Sequence, residues 1–259
     1  TNYLKNGYVA DDKTNESVAR TLEFALSDYC IAQMAKALGK TADYEDLMRR
    51  AKNYRYLYNP KTKLFQARNA DGSWAGEHSG FTEGANWTYQ FCVMQDVQGL
   101  IDLMGGDESF AAALDNVFDN GHYRHDNEPG HHYVYLYNYC GRFDKAQERI
   151  PEILDTHYRN GADGLSGNDD CGQMSAWYLF SSLGFYPVTP ASGEYALGIP
   201  RFPSATVELP HGKVLTVRAE GLKEHKHLPV ILFNGKKLDA PFIDIRDLMK
   251  GGVLEFKAE

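Results

Sequence analysis

Three short polar runs carry the side chains best suited to chemistry. One lies in Gly164–Pro187, GLSGNDDCGQMSAWYLFSSLGFYP, where Asp169 and Asp170 stand together in a Gly/Asn/Ser turn. Met174, Trp177, Phe180 and Leu183 then recur at helical spacing, so the acidic pair sits where a helix begins. Unpaired N–H groups and the dipole at that end favour the ionised carboxylate. An ionised carboxylate on a stiff support is what a general base needs. Asp is also an ordinary helix cap, and capping is the simpler account of the pair taken alone.

The second run is Thr82-Glu83-Gly84, with Trp87 nearby. A ring that shields a carboxyl from water raises its pKa toward the range of a general acid. The plainer reading is an acid in the first turn of a helix. The third run is His125-Asp126-Asn127-Glu128-Pro129-Gly130-His131-His132. Adjacent helical residues point apart, so His131 and His132 make a poor zinc pair. The oxygen donors Asp126, Asn127 and Glu128 suit a hard cation such as calcium, although such loops are often just solvated. An acid beside an aromatic, with an ionised pair on another loop, suggests glycoside hydrolysis. One carboxyl would protonate the leaving oxygen while another activates water.

The elements that hold these runs read mostly as helices. Asn15–Gly39 forms one, with Leu22, Leu26, Tyr29, Cys30, Met34 and Ala37 on its inner face. Thr41–Tyr58 forms a second, capped by Thr41, burying Leu47, Ala51 and Tyr54 and stopped by Pro60. Thr82–Gly106, Asp107–Phe118, His131–Cys140 and Phe143–Tyr158 follow, with Pro151 expected to kink or restart the last. Long polar loops fall before Thr82, His131 and Cys171, so alternate helices start under polar loops. That rhythm predicts a mainly α fold: a partial (α/α)6 toroid of helical hairpins, incomplete on its N-terminal side. The expected domains are residues 1–190 for the toroid and 191–259 for a small C-terminal β-sandwich. There the runs ATVEL, KVLTVRA, PVILF and VLEF alternate with turns, and Asn234-Gly235 marks a hairpin.

Composition narrows the partners. The chain has 27 Lys+Arg against 35 Asp+Glu, a net charge of −8, which disfavours nucleic acid. No run approaches the roughly 20 apolar residues of a membrane span. TNYLKNGYVADDK lacks an export pattern. Cys30, Cys92, Cys140 and Cys171 are widely spaced without a CxxC pair, and the first three, in apolar helical runs, read as buried thiols. An aromatic share of 13% suits a sugar-lined cleft as well as a large core.

The segments SGNDDCGQMSAWYLFSSLGFYPVTPASGEYALGIP, TEGANWTYQF, HDNEPGHHYVYLYNY and ARNADGSW together resemble glycoside hydrolase family 92. The resemblance runs in family order from TLEFALSDYCIAQMAKALGK to NGKKLDAPFIDIRDLMKGG. It implies a calcium-dependent, inverting exo-α-mannosidase acting on mannose-capped glycans, with α1,2 as one candidate linkage, in the periplasm or outside the cell. Glu83 matches the general acid. Asp170 is assigned to water activation, with Asp169 as its supporting partner or alternative. Asn127 and Glu128 match the calcium region, and Asp28, Arg68, Trp87, His125 and His131 match positions near the sugar. Family members often read EGNAWQY where this chain has Glu83-Gly84-Ala85-Asn86-Trp87-Thr88-Tyr89. They also carry an N-terminal β-sandwich and further barrel helices, which are expected as partners of this chain. The rival expectations are a non-catalytic carbohydrate-binding fragment and a toroid glycosidase acting on another sugar.

Overall fold

Small side chains decide how the first long helix packs. The computed structural model describes residues 2–258, in two units that divide after Tyr123. In the first unit α1 (Asn2–Asn6) precedes α2 (Ser17–Ala37), which buries Val18, Ala19, Leu22, Ala25, Ala32 and Ala35. Ala32 and Ala35 meet Leu47 of α3 (Thr41–Arg50), a contact that larger residues would hold apart. The expected inner face of α2 is therefore rotated, and Met34 is 65% exposed. Thr41 begins α3, while Lys40 occupies the cap position assigned to it from sequence.

Past Arg50 the expected helix gives way to a 3₁₀ turn, Asn53–Leu57, which still buries Tyr54 and Leu57. A two-stranded hairpin follows, β1 (Tyr58–Asn59) with β2 (Leu64–Phe65). The expected helix over Thr82–Gly106 is broken into α4 (Asn86–Tyr89) and α5 (Val97–Met104). Phe91 and Val93 explain the break: both are fully buried. The Val93 N–H donates to the Phe91 carbonyl at 2.7 Å, a tight turn that interrupts the helical ladder, and Val93 has φ −134° and ψ 58°. The unit closes with α6 (Asp107–Asp119), which buries Phe110, Ala111, Leu114 and Val117.

In the second unit Tyr133–Cys140 is a 3₁₀ rather than an α-helix, buried at all but one of its eight residues. The α7 helix (Phe143–His157) runs through Pro151 as one element. The α8 helix (Gln173–Leu183) opens just past the acidic pair. The chain then forms β3 (Phe185–Tyr186), β4 (Glu194–Leu197), β5 (Ser204–Leu209), β6 (Lys213–Ala219), β7 (Val230–Phe233) and β8 (Lys236–Lys237). It ends in β9 (Phe242–Asp244), the short α9 (Ile245–Leu248) and β10 (Gly252–Lys257).

One sheet has the order β3-β4-β9 and the other β5-β6-β10-β7-β8. All pairings are antiparallel except β6 with β10. Phe185, Leu197 and Ile243 of one sheet share a core with Leu215, Val217, Ile231, Leu254 and Phe256 of the other. This is the small sandwich expected from the strand runs. Asn234 and Gly235 join β7 to β8 with φ 51° and 78°, the left-handed pair that a tight hairpin needs.

Candidate active site

The start of α8 holds the acidic turn. Asp170, Cys171 and Gly172 have φ 38°, 59° and 86°, three left-handed residues in a row. For Cys171 this conformation costs roughly 1–2 kcal/mol, and for Asp170 less, because an aspartate tolerates it better. Backbone hydrogen bonds hold it: the Gln173 N–H donates to the carbonyls of Asp169 at 2.7 Å and Asp170 at 3.2 Å. The Asp169 carboxylate accepts the Ser175 N–H and hydroxyl, each at 2.9 Å, and so caps α8. Asp170 is exposed, and its carboxylate has no hydrogen-bond or ion-pair partner among the described residues. The two neighbours thus do different work.

A second loop lies against this turn. A Cβ on Gly167 would stand 2.2 Å from the Asp126 carbonyl oxygen, so the loops touch backbone to backbone where only glycine fits. Arg124 grips both Asp126 oxygens at 2.7 and 2.5 Å and holds that carboxyl below its usual range. The Asn127 side chain accepts the Glu128 N–H at 3.1 Å and starts the turn Glu128–Gly130. Asn127 and Glu128 are oxygen donors of the kind calcium prefers, but that ion takes about six to eight. Among the described residues no three His, Cys, Asp or Glu side chains gather as a metal site. Asn127 and Glu128 would give part of such a shell, with backbone carbonyls and water free to supply the rest.

His125 and His131 lie behind the turn as buried rings, 1% and 2% exposed. The Tyr158 hydroxyl donates to the Met174 carbonyl at 3.0 Å, so His125 Nε2–H donates in its 2.7 Å contact with that hydroxyl. Burial lowers the His125 pKa to about 2 and also lowers that of His131. His131 Nε2–H donates to the His125 carbonyl at 3.1 Å, which leaves Nδ1 to accept the Gln173 amide at 3.3 Å. The Trp177 indole donates to the His131 carbonyl at 2.8 Å and its ring meets His125 edge-on at 4.4 Å. Gln173 and Tyr158 escaped the sequence reading, because partners 42 and 33 residues apart leave no spacing signal.

In the first unit Glu83 is exposed, with φ 50°. Its loop is pinned to the start of α2: the Gly80 carbonyl accepts from Val18 N at 2.9 Å and Ala19 N at 3.0 Å. The Ser79 hydroxyl donates to Asp11 at 2.6 Å, and the Thr82 hydroxyl to Glu16 at 3.1 Å. Trp87 lies flat on His122, centroids 4.4 Å apart. The Arg68 guanidinium sits 3.9 Å over Trp74, and its Nε is buried without a hydrogen-bond partner among the described residues. Asp28 is committed internally, accepting from Tyr3 and Arg50 at 2.8 Å each.

The family model described as the glycosyl hydrolase family 92 catalytic domain matches residues 1–259. The chain belongs to this family. A family GH92 inverting mannosidase from Bacteroides thetaiotaomicron superposes on 99% of the GH92 chain with TM-score 0.92 and 35% identity. An α-mannosidase of the same family and organism superposes on 97%, again at TM-score 0.92, with 43% identity. A protein of Arthroderma benhamiae described as an uncharacterized secreted glycosidase is 28% identical over 96% of the chain. The GH92 chain spans 39%, 35% and 36% of these three proteins respectively. Its fold is that of their matched region, helical hairpins followed by a small β module.

Proposed function

We propose that these residues serve an exo-acting α-mannosidase that releases terminal mannose from glycans with inversion. Glu83 protonates the leaving oxygen, Asp170 activates water, and Asp169 supports the turn that carries Asp170. The observation that carries this reading is the division of labour between the two aspartates. Asp169 is spent on Ser175, while Asp170 keeps an exposed carboxylate on left-handed backbone, which aspartate tolerates better than most side chains. A base needs a free lone pair facing solvent-borne water, and Asp170 has one. Substrate and stereochemistry rest on the relatives described as mannosidases, one of them inverting.

Arg68, its guanidinium 3.9 Å over the Trp74 ring, and Trp87 are proposed sugar contacts. Calcium, with Asn127 and Glu128 giving part of its oxygen shell, belongs to the proposal only for the whole protein, and no step is routed through it. Export from the cytoplasm is proposed from the relative described as secreted; no helix of the described residues is long and apolar enough to cross a membrane.

The test is turnover of α-mannosides by the whole protein, with the product anomer followed by NMR. Glu83→Gln and Asp170→Asn should each lower kcat by roughly 10²–10⁴-fold. Near-normal turnover in either variant overturns its assignment, and binding without hydrolysis in the wild type would favour a carbohydrate-binding module instead.

A further inference from the structure

Gln173 is the first residue of α8, and both its backbone and its side chain are engaged around the acidic turn. Its N–H ties the carbonyls of Asp169 and Asp170, the two residues whose carboxylates the proposed mechanism separates. Its side-chain amide nitrogen has two hydrogens, and both are used. One goes to His131 Nδ1 at 3.3 Å and the other to the Tyr186 hydroxyl at 2.9 Å. Tyr186 is fixed in turn, buried in β3 and stacked on Tyr135 at 5.1 Å. His131 is fixed by its donation to the His125 carbonyl and by the Trp177 indole on its own carbonyl. The left-handed run Asp170-Cys171-Gly172 is thus anchored on its C-terminal side to a side chain locked from two directions.

The geometry points to Gln173 as a positioning residue: it sets the orientation of Asp170 by clamping the turn to His131 and Tyr186. This inference rests on the assignment of Asp170 as the base. Gln173 does not touch substrate in this account. It keeps a strained loop in one conformation, which is what a proton-transferring group needs, since a displacement of about 1 Å can lower turnover about 100-fold.

The test is a double-mutant cycle in the whole protein on an aryl α-mannoside. Gln173→Ala should lower kcat about 10–100-fold with KM changed less than about threefold, the pattern of a lost transition-state interaction. Tyr186→Phe, which removes one of the two anchors and leaves the backbone intact, should give a smaller fall of the same kind. In the Asp170→Asn background Gln173→Ala should produce no further loss, because its effect passes through Asp170. Cys171, exposed within the turn, supplies a readout independent of turnover: its labelling by a thiol reagent should accelerate in Gln173→Ala. Wild-type kcat and labelling in both anchor variants would overturn the inference while leaving Asp170 as the base. A full additional loss in the Asp170→Asn background would overturn it too. An active Asp170→Asn enzyme would instead remove the assignment on which it rests.

Discussion

Asp169 holds Ser175 by two hydrogen bonds of 2.9 Å, one to the backbone N–H and one to the hydroxyl. The carboxylate next to it, on Asp170, is committed to nothing among the described residues. Adjacent aspartates should therefore fail in opposite ways. Asp169→Ala should cost about 1 kcal/mol of stability, the usual loss for a helix cap, and lower Tm by about 2–4 °C. Asp170→Asn should lose turnover and keep its Tm. A calorimetric scan run beside an assay separates the two, and a stable, inactive Asp169→Ala would reverse the roles.

Gly167 is the point where the two polar loops of the second unit meet. A methyl group there lands 2.2 Å from the Asp126 carbonyl oxygen, a clash with backbone that no rotamer relieves. Gly167→Ala should destabilise the protein by about 1–3 kcal/mol and lower kcat/KM, as both loops shift. Unchanged stability in urea would mean that the loops are free to part.

His125 predicts an acid-sensitive fold. Burial leaves it neutral in the folded chain, with a pKa of about 2, whereas in the unfolded chain it titrates near its ordinary value of 6.5. The unfolded state therefore gains a proton first, and stability falls as pH drops below about 6.5. Between pH 7 and 5 this one ring should remove about 2 kcal/mol. His131 and His157, lowered by burial in the same sense, add to the slope. Denaturant melts at several pH values check this, and a flat profile from pH 7 to 5 contradicts it.

Asp28 is expected near the sugar, yet Tyr3 and Arg50 already occupy both of its oxygens. Asp28→Asn should cost about 1.5–3 kcal/mol, the range for hydrogen bonds to a charged group. KM should stay near wild type if this internal role is the whole of it. A raised KM at unchanged Tm would return Asp28 to the sugar contacts.

Chelation addresses the metal separately. The whole protein should lose α-mannosidase turnover in a calcium chelator and regain it when calcium is returned. Turnover indifferent to the chelator would remove the ion from the mechanism.

Local signals were legible where a residue's own backbone preference decides the outcome. Gly39 closing α2, Asn234-Gly235 turning the last hairpin and the start of α8 after Gly172 all follow from such preferences. The rotation of α2 was not legible, because Ala32 and Ala35 bury against Leu47 only by virtue of a partner helix. The same holds for the break at Phe91–Val93, where the core overrides a helical pattern. At the candidate site the acids stood out by type and turn. Their supports, Gln173, Tyr158 and Tyr186, look like any other polar or aromatic residues until the chain is folded.

Glu83, Asp170 and Cys171 share left-handed backbone, with φ 50°, 38° and 59°. Asparagine or glycine would sit there more comfortably, by up to about 1 kcal/mol per position. A library selected for heat resistance alone should therefore drift toward those residues first. It would enrich thermostable clones that have traded away the two carboxylates proposed to move protons. Selection on this protein needs an activity gate from the first round.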